Sequence, residues 1–215
     1  MLSVGIMGSA PDSVKDFSMY NKEVDIWIGA DRGALTLIDK RIQLDYAVGD
    51  FDSINHTEKK LIQDHAAYME EYPSEKAETD LEIALMKAME LEADQVYLFG
   101  VTGGRLDHEL SNIQLLYSIV SKGIRGTIVN ENNYLELIFP GTYQITQENH
   151  YPYVSFIPFS QHVAGLTLKG FYYLLSDQDI YWGSTLCISN KLIKKNGTFS
   201  FSEGILLLIK SRDEI

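Results

Sequence analysis

Short apolar segments alternate with helical patterns over the first 130 residues, and this alternation constrains the fold more than any other feature of the chain. The segments with the length and composition of buried strands are 2–7, 25–28, 46–48, 96–99 and 127–129. Helical periodicity is clearest after Thr79, which has capping spacing ahead of Leu81, and over 107–122, where Gly123 follows as a stop. Strand–helix alternation predicts a parallel sheet covered on both faces, and right-handed crossovers make that sheet doubly wound.

After Asn133 the helical periodicity disappears, and only strand-like segments remain. They are 134–139, 151–157, 164–168, 186–193, 198–201 and 205–209, and glycines punctuate them. This pattern is typical of a small antiparallel β-sandwich. We therefore expect an α/β domain with a mostly parallel sheet over residues 1–132, followed by an all-β sandwich domain over residues 133–215.

Composition excludes several classes of protein. The net charge of −12 argues against a nucleic-acid partner, because lysine and arginine supply the affinity for a phosphate backbone. No apolar run approaches the roughly 20 residues that span a bilayer, and the N-terminus has no basic segment typical of a signal peptide. The single cysteine, Cys187, fits a reducing compartment. These features predict a soluble, cytoplasmic protein without membrane or nucleic-acid partners.

Acidic residues follow the predicted strands of the first domain. In open parallel sheets, ligands bind where the chain leaves the carboxyl ends of the strands. Four segments at such positions carry acids, namely 29–34 (GADRGA), 48–53 (VGDFDS), 78–80 (ETD) and 102–108 (TGGRLDH). We expect all four to converge on one edge of the sheet.

The residue types in these segments are those that bind metal ions and phosphates. Asp50 and Asp52, two apart in a segment taken as extended, point the same way and can face one Mg²⁺ ion. An isolated Asp-x-Asp is also common in solvated turns, with Asp52 as a helix cap. Gly103 and Gly104 offer unobstructed backbone N–H groups near a helix start, and Arg105 adds a planar donor for phosphate oxygens.

In order and spacing, these segments resemble the thiamine pyrophosphokinase family, which transfers pyrophosphate from ATP to thiamine. The motif 76–82 (KAETDLE) and the later segments 170–175 (GFYYLL), 188–190 (ISN) and 204–209 (GILLLI) extend the resemblance to almost the entire chain. The resemblance implies a homodimer whose active sites lie between subunits. It also implies that ATP and Mg²⁺ bind the first domain and that thiamine binds the second domain of the partner subunit.

The resemblance further implies roles for individual residues. The implied catalytic carboxylates are Asp50, Asp52, Asp80 and Asp107, of which Asp50, Asp52 and Asp80 would hold Mg²⁺. The implied ATP-binding residues are Asp31, Thr102, Gly103, Gly104 and Arg105. The implied thiamine-binding residues are Tyr173, which would stack on a ring, and Ser189 and Asn190, which would bind the aminopyrimidine. Asp80 and Asp107 are both candidates for the base that accepts the thiamine hydroxyl proton.

Two departures from the family pattern leave alternatives open. Ala77 stands where the family usually has aspartate. If that carboxylate is a ligand of the metal or the phosphates, then Glu75 or Glu78 must substitute for it, or activity is weakened. The stacking aromatic is tryptophan in some members. Here it is assigned to Tyr173, but the register also admits Phe171, Tyr172 and Trp182.

Two other functions are consistent with the same aspartates. One is a Mg²⁺-dependent nucleotide phosphohydrolase, although Asp50 follows the third predicted strand, whereas aspartyl-nucleophile phosphatases carry their Asp-x-Asp after the first. The other is a non-catalytic nucleotide sensor, in which Ala77 marks lost catalysis.

Overall fold

The computed structural model describes residues 1–10, 15–17 and 19–213. Its backbone contacts divide the chain into two compact units, Met1–Glu131 and Asn132–Ile215. Along the described part of the chain, none of the helices combines the length and apolarity needed to span a bilayer.

The described residues of the first unit contain six parallel strands and four α-helices. Its strands are β1 (Ser3–Met7), β2 (Ile26–Ala30), β3 (Tyr46–Gly49), β4 (Tyr68–Glu71), β5 (Gln95–Phe99) and β6 (Arg125–Val129), and its helices are α1 (Gly33–Asp39), α2 (His56–His65), α3 (Asp80–Glu90) and α4 (Leu106–Val120). The strand order is β4-β3-β2-β1-β5-β6, and every neighbouring pair is parallel. This order confirms the predicted doubly wound sheet. Because the chain moves outward from β1 to β4 and then returns to the other side of β1, the switch point lies between β1 and β5.

Local capping fixes where two of these helices begin. The Thr79 hydroxyl accepts a hydrogen bond from the Glu82 N–H at 3.2 Å, so α3 begins where the sequence predicted. Asn55 and Glu58 form a reciprocal capping box at the start of α2. Asn55, rather than Asp52, is therefore the cap of α2, and the interpretation of Asp52 as a helix cap is wrong.

The second unit is built from two antiparallel sheets, as predicted. Its strands are β7 (Asn133–Ile138), β8 (Gly141–Thr146), β9 (Tyr153–Pro158), β10 (His162–Lys169), β11 (Leu175–Tyr181), β12 (Asn196–Phe201) and β13 (Leu206–Ser211). β13 pairs with both β7 and β9, and the other sheet has the order β11-β10-β12-β8. Side chains from both sheets, including Phe156, Leu166 and Phe199, form one buried core, which is the arrangement of a β-sandwich.

The predicted strand at 186–193 is wrong, because that segment is a loop with isolated bridges at Asn190 and Leu192. The segment resembles a strand in composition because Cys187 and Leu192 are buried in the sandwich core although they belong to a loop. Ser189 lies between them with a left-handed φ of 56°, which a regular strand does not accommodate.

Three strands, β4, β8 and β11, were not predicted. β4 lies at the end of the strand order and has no fully buried residue, so its sequence carries a weak apolar signal. In β11 four consecutive residues are exposed, which removes the alternation expected of a half-buried strand.

Gly33, in the segment 29–34, allows α1 to lie directly against the end of β1. A Cβ atom on Gly33 would stand 1.9 Å from the backbone oxygen of Met7. We expect Gly33→Ala to lower the free energy of unfolding by about 3 kcal/mol, at the upper end of overpacking costs, because backbone rather than a flexible side chain must move. Chemical denaturation measures this cost.

Gly126→Ala is the matched control for this prediction. A Cβ atom there would meet only the ends of the Leu116 and Ile119 side chains, at 3.2 and 3.3 Å. Since those side chains can shift, we expect a change below about 1 kcal/mol. Equal destabilisation by the two variants would contradict the close-approach argument.

Candidate active site

A cavity of about 390 Å³ opens at the carboxyl ends of β1, β2 and β5, beside the switch point. Gly8, Ala30 and Gly100, which end or follow these three strands, line it. Of the predicted site residues, Asp31, Asp80, Gly104 and Arg105 also line this cavity. The structure therefore brings together residues from three of the four acid-bearing segments.

The fourth acid-bearing segment, 48–53, is linked to segment 78–80 by ion pairs with one lysine. The Lys76 ammonium lies 2.9 Å from Asp80 Oδ1 and 3.3 Å from Asp50 Oδ2, and its side chain is only 12% exposed. Burial opposes the charge on Lys76, but hydrogen bonds to Asp80 and Asp50 outweigh it and raise the lysine pKa. One ammonium thus holds two carboxylates together that belong to different segments.

The Asp50–Asp52 segment is a tight turn rather than the extended segment that was expected. Phe51 has a left-handed φ of 55° and a buried side chain, and the Asp52 N–H donates to Asp50 Oδ1 at 3.1 Å. That hydrogen bond is the main cause of a lowered Asp50 pKa, with Lys76 contributing further. Across this turn the charge on Asp50 raises the pKa of Asp52.

The acidic residues supply the oxygen ligands that a hard divalent cation prefers, but the described residues do not form a complete coordination sphere. No three His, Cys, Asp or Glu side chains within the described ranges stand close enough to hold a metal ion in this structure. Asp50 and Asp80 nevertheless already share one cationic group, Lys76, and Asp31 Oδ1 is buried without a hydrogen-bond partner among the described residues. Oxygen ligands in a region of concentrated negative charge are those that Mg²⁺ prefers.

The predicted phosphate cradle forms a turn between β5 and α4. Gly103 has a φ of +83°, and the Gly104 N–H points to the Glu109 carboxylate, with 2.7 Å between Gly104 N and Glu109 Oε1. Arg105 donates to both oxygens of Asp107, at 3.1 and 2.6 Å, and this pair lowers the Asp107 pKa to about 2. Each of these donors therefore has a carboxylate of the chain as its partner in this structure.

Thr102 supports the turn from inside. Its side chain is buried, and its hydroxyl accepts a hydrogen bond from the Asn130 side chain at 2.8 Å. This bond ties the end of β5 to the end of β6.

In the second unit, a pocket of about 340 Å³ contains two of the predicted aromatic residues. Tyr172 and Tyr173 line it and are 58% and 59% exposed. Phe171, in contrast, is fully buried in the sandwich core and presents no free ring face. The Trp182 indole donates to the Phe159 carbonyl at 3.2 Å and does not line this pocket.

Asn190 contacts the backbone of Tyr173 with both ends of its amide. Asn190 Oδ1 accepts from the Tyr173 N–H at 3.0 Å, and Asn190 Nδ2 donates to the Tyr173 carbonyl at 2.8 Å. The residue is 1% exposed. Ser189 is exposed, and its left-handed backbone is held by a hydrogen bond from its N–H to Ser155 Oγ. In this structure Asn190 orients the tyrosine segment, while Ser189 leaves its hydroxyl at the surface.

The residues that sequence reasoning missed are Lys76, Glu109 and the first loop at Gly8. Lys76 lies in a motif that was recognised, but its two partners could not be identified from spacing because Asp50 is 26 residues away. Glu109 lies in the first turn of α4, where an acidic residue is common at the positive end of the helix dipole and gives no separate sequence signal. Gly8 directly follows β1, so the rule that ligands bind at strand carboxyl ends could have identified it.

Lys76→Met tests the electrostatic role of this lysine. We expect the free energy of unfolding at pH 7.5, without divalent cations, to fall by about 1–2 kcal/mol, because two partly buried carboxylates lose their counter-charge. The Asp50 pKa is lowered below its ordinary 3.8 in the folded chain, so the electrostatic stabilisation is present above pH 3.8 and is lost as the pH falls below it. The Lys76 pKa is raised above its ordinary 10.5, so the stabilisation is also lost as the pH rises above 10.5 and the lysine loses its proton.

Urea denaturation at pH 7.5 and pH 3.5 therefore measures the effect. The difference between wild type and Lys76→Met should shrink at the lower pH. An equal difference at both values would mean that the lysine stabilises the fold by packing rather than by charge.

Comparisons with known proteins agree with this geometry. The model of the thiamin pyrophosphokinase catalytic domain matches residues 17–128, and that of the thiamin pyrophosphokinase vitamin B1 binding domain matches residues 142–206. A thiamine pyrophosphokinase of Bacillus subtilis is 44% identical over 214 residues, covering 99% of this chain and 100% of the relative.

Solved structures give the same result. The crystal structure of thiamine pyrophosphokinase from Bacillus subtilis matches with a TM-score of 0.92 and 42% identity, over 99% of this chain and 100% of the other. That of thiamin pyrophosphokinase from Geobacillus thermodenitrificans matches with a TM-score of 0.89 and 43% identity, over 99% of each chain. The chain, with its acidic cavity at the switch point and its second-unit pocket, belongs to the thiamin pyrophosphokinase family.

Proposed function

We propose that this protein transfers pyrophosphate from ATP to the hydroxyethyl oxygen of thiamine, giving thiamine pyrophosphate and AMP. The observation that carries the proposal is the cavity at the switch point, where Asp31, Asp80 and the Gly104–Arg105 turn line one space in a chain that matches both family models. In this proposal residues 1–132 form the ATP- and Mg²⁺-binding domain, and residues 133–215 form the thiamine-binding domain.

Asp50, Asp52 and Asp80 are the residues that we assign to Mg²⁺. Asp50 and Asp80 already share the Lys76 ammonium, and Asp52 carries a raised pKa because of its acidic neighbours, foremost Asp50. When bound, Mg²⁺ would neutralise charge on the phosphates and orient them. Lys76, a compact cation paired with Asp50 and Asp80, would add positive charge beside the phosphates.

Asp31, Thr102, Gly103, Gly104 and Arg105 are the residues that we assign to ATP. The Gly104 N–H and the Arg105 guanidinium are donors suited to phosphate oxygens, and both face the cavity near the start of α4. Thr102 and Gly103 act by shaping the turn, since Thr102 is buried against Asn130 and Gly103 has a left-handed φ.

The reaction is an in-line displacement at the β-phosphorus. The thiamine hydroxyl oxygen forms a bond to that phosphorus, the bond to the α,β-bridging oxygen breaks, and AMP leaves with the electron pair. The chain contributes positioning and charge neutralisation, as in other phosphoryl transfers. A carboxylate accepts the hydroxyl proton. We favour Asp80 for this role over Asp107, because Asp80 lines the cavity and Asp107 does not.

Ala77 does not break up the acidic cluster. Lys76, next to position 77, forms ion pairs with Asp50 and Asp80 although position 77 carries no carboxylate. We therefore propose a functional enzyme rather than a nucleotide sensor.

Tyr173 is the residue that we assign to the thiamine ring, with the Ser189 hydroxyl as a hydrogen-bonding partner. Thiamine is cationic, and an exposed aromatic face attracts it by a cation–π interaction of about 0.5–2 kcal/mol. Asn190 supports this site by holding the Tyr173 backbone. We propose that the enzyme is a cytoplasmic homodimer in which thiamine is bound by this unit of the partner subunit.

Product analysis tests the proposed function. Purified protein incubated with ATP, Mg²⁺ and thiamine should form AMP and thiamine pyrophosphate in equal amounts, measured by chromatography. We expect Asp52→Asn to lower kcat at least about 100-fold, since it removes a charge that orients the reacting phosphates.

Asp64→Asn is the control, because Asp64 is exposed on α2 and contacts no site residue. It should keep the wild-type rate. Formation of AMP or ADP independent of thiamine would identify a phosphohydrolase and contradict the proposal.

Tyr173→Ala tests the thiamine site. We expect the KM for thiamine to rise about 3- to 30-fold while the KM for ATP stays unchanged, since the cation–π contact concerns only thiamine. Tyr173→Phe should retain most of the affinity because it keeps the ring. If Tyr172→Ala produces the larger effect, the stacking residue is Tyr172, which in this structure lies under the Lys191 ammonium.

A further inference from the structure

Glu109 places a carboxylate on the donor that we assign to the phosphates. The Gly104 N–H donates to Glu109 Oε1 at 2.7 Å, a distance typical of a charge-assisted hydrogen bond. Both residues line the cavity at the switch point. A carboxylate oxygen therefore occupies the position where a phosphate oxygen would accept the same hydrogen bond.

Helix capping explains only part of this contact. An acid in the first turn of α4 is favourable next to the positive end of the helix dipole. The N-cap residue of α4 is Arg105, which makes no side-chain capping hydrogen bond. Glu109 instead reaches five residues back, past the N-cap, to a glycine that lines the cavity. Its acceptor is thus directed to the ligand space.

The other carboxylates of the cavity repel a highly charged ligand, which makes it costly for that ligand to replace Glu109 at the Gly104 N–H. Asp31 and Asp80 line the same cavity as Glu109, so a nucleotide without a metal ion meets three carboxylates there. Like charges at close range repel each other, and they repel more strongly near a protein surface than in bulk water. A nucleotide complexed with a divalent cation carries less negative charge and is repelled less.

We propose that Glu109 is a specificity-determining residue that selects metal-complexed over metal-free nucleotide. Its carboxylate competes with the triphosphate for the Gly104 N–H, and only a ligand whose charge is partly neutralised displaces it readily. This inference rests on the proposed function, because it takes Gly104 as a phosphate donor.

Glu109→Gln isolates the charge, because glutamine has the same length and keeps a neutral acceptor for the Gly104 N–H. Titration calorimetry with ATP in EDTA, and with ATP in excess Mg²⁺, measures the two affinities without turnover because thiamine is absent. We expect metal-free ATP to bind Glu109→Gln about five-fold or more tightly than wild type. Binding of Mg²⁺-ATP should change less than about two-fold.

Two further variants keep the test decisive. Asp64→Asn removes one negative charge from an exposed position on α2 that does not line the cavity, and it should leave both affinities at wild-type values. Glu109→Ala removes the acceptor altogether and should also tighten metal-free ATP, which guards against a folding defect specific to glutamine. Thermal denaturation of each variant establishes that it is folded.

Several outcomes would overturn the inference. These are unchanged or weaker binding of metal-free ATP by Glu109→Gln, an equal gain for both forms of ATP, or the same gain in Asp64→Asn. If the wild type makes thiamine pyrophosphate but the Glu109 variants bind both forms of ATP with the wild-type affinities, then only this inference fails. If the wild type binds no ATP in either buffer, the proposed function fails with it.

Discussion

Mutual repulsion among carboxylates at one edge of a parallel sheet is the constraint on which the candidate site depends. Acids that follow different strands are brought close together by the fold, and they would destabilise it without counter-charges. Lys76 supplies that charge to Asp50 and Asp80, at 3.3 and 2.9 Å. In the lining of the cavity the Gly104 N–H holds the Glu109 carboxylate. The chain thus has a cation and an anion of its own where Mg²⁺ and phosphate are proposed to bind.

The doubly wound sheet explains why these groups meet. Because the strand order reverses at β1, the loops after β1 and β5 diverge and leave a crevice at the carboxyl edge. The chain turns sharply where it leaves the neighbouring strands, and non-glycine residues adopt left-handed conformations there, with φ of 48° at Asp31 and 55° at Phe51. Such strained residues persist where surrounding structure over-determines them, and they occur often at functional sites. The energetic cost of the local backbone is offset by the core of the first unit, in which Phe51 is itself buried.

The architecture and the position of the site could be predicted from the sequence, because both depend on periodic patterns and on the topology of parallel sheets. The start of α3 at Thr79 and the gathering of Asp31, Asp80 and Arg105 follow from such rules. Side-chain partners could not be predicted, because they depend on distances between segments far apart in the chain. The sequence predicts Asn190 as a ligand contact, yet both ends of its amide bind the backbone of Tyr173 in this structure. The loop at 186–193 resembles a strand because its buried residues give it an apolar composition.

A crystal structure with Mg²⁺, thiamine and an ATP analogue whose α,β-bridging oxygen is replaced by methylene tests the central claim most directly. The account predicts phosphate oxygens bound to the Gly104 N–H and to Arg105, with Mg²⁺ among Asp50, Asp52 and Asp80. It also predicts that Glu109 has left Gly104 and that Lys76 faces the phosphates. A nucleotide bound outside the cavity at the switch point, with the internal contacts of Lys76 and Glu109 intact, would contradict it.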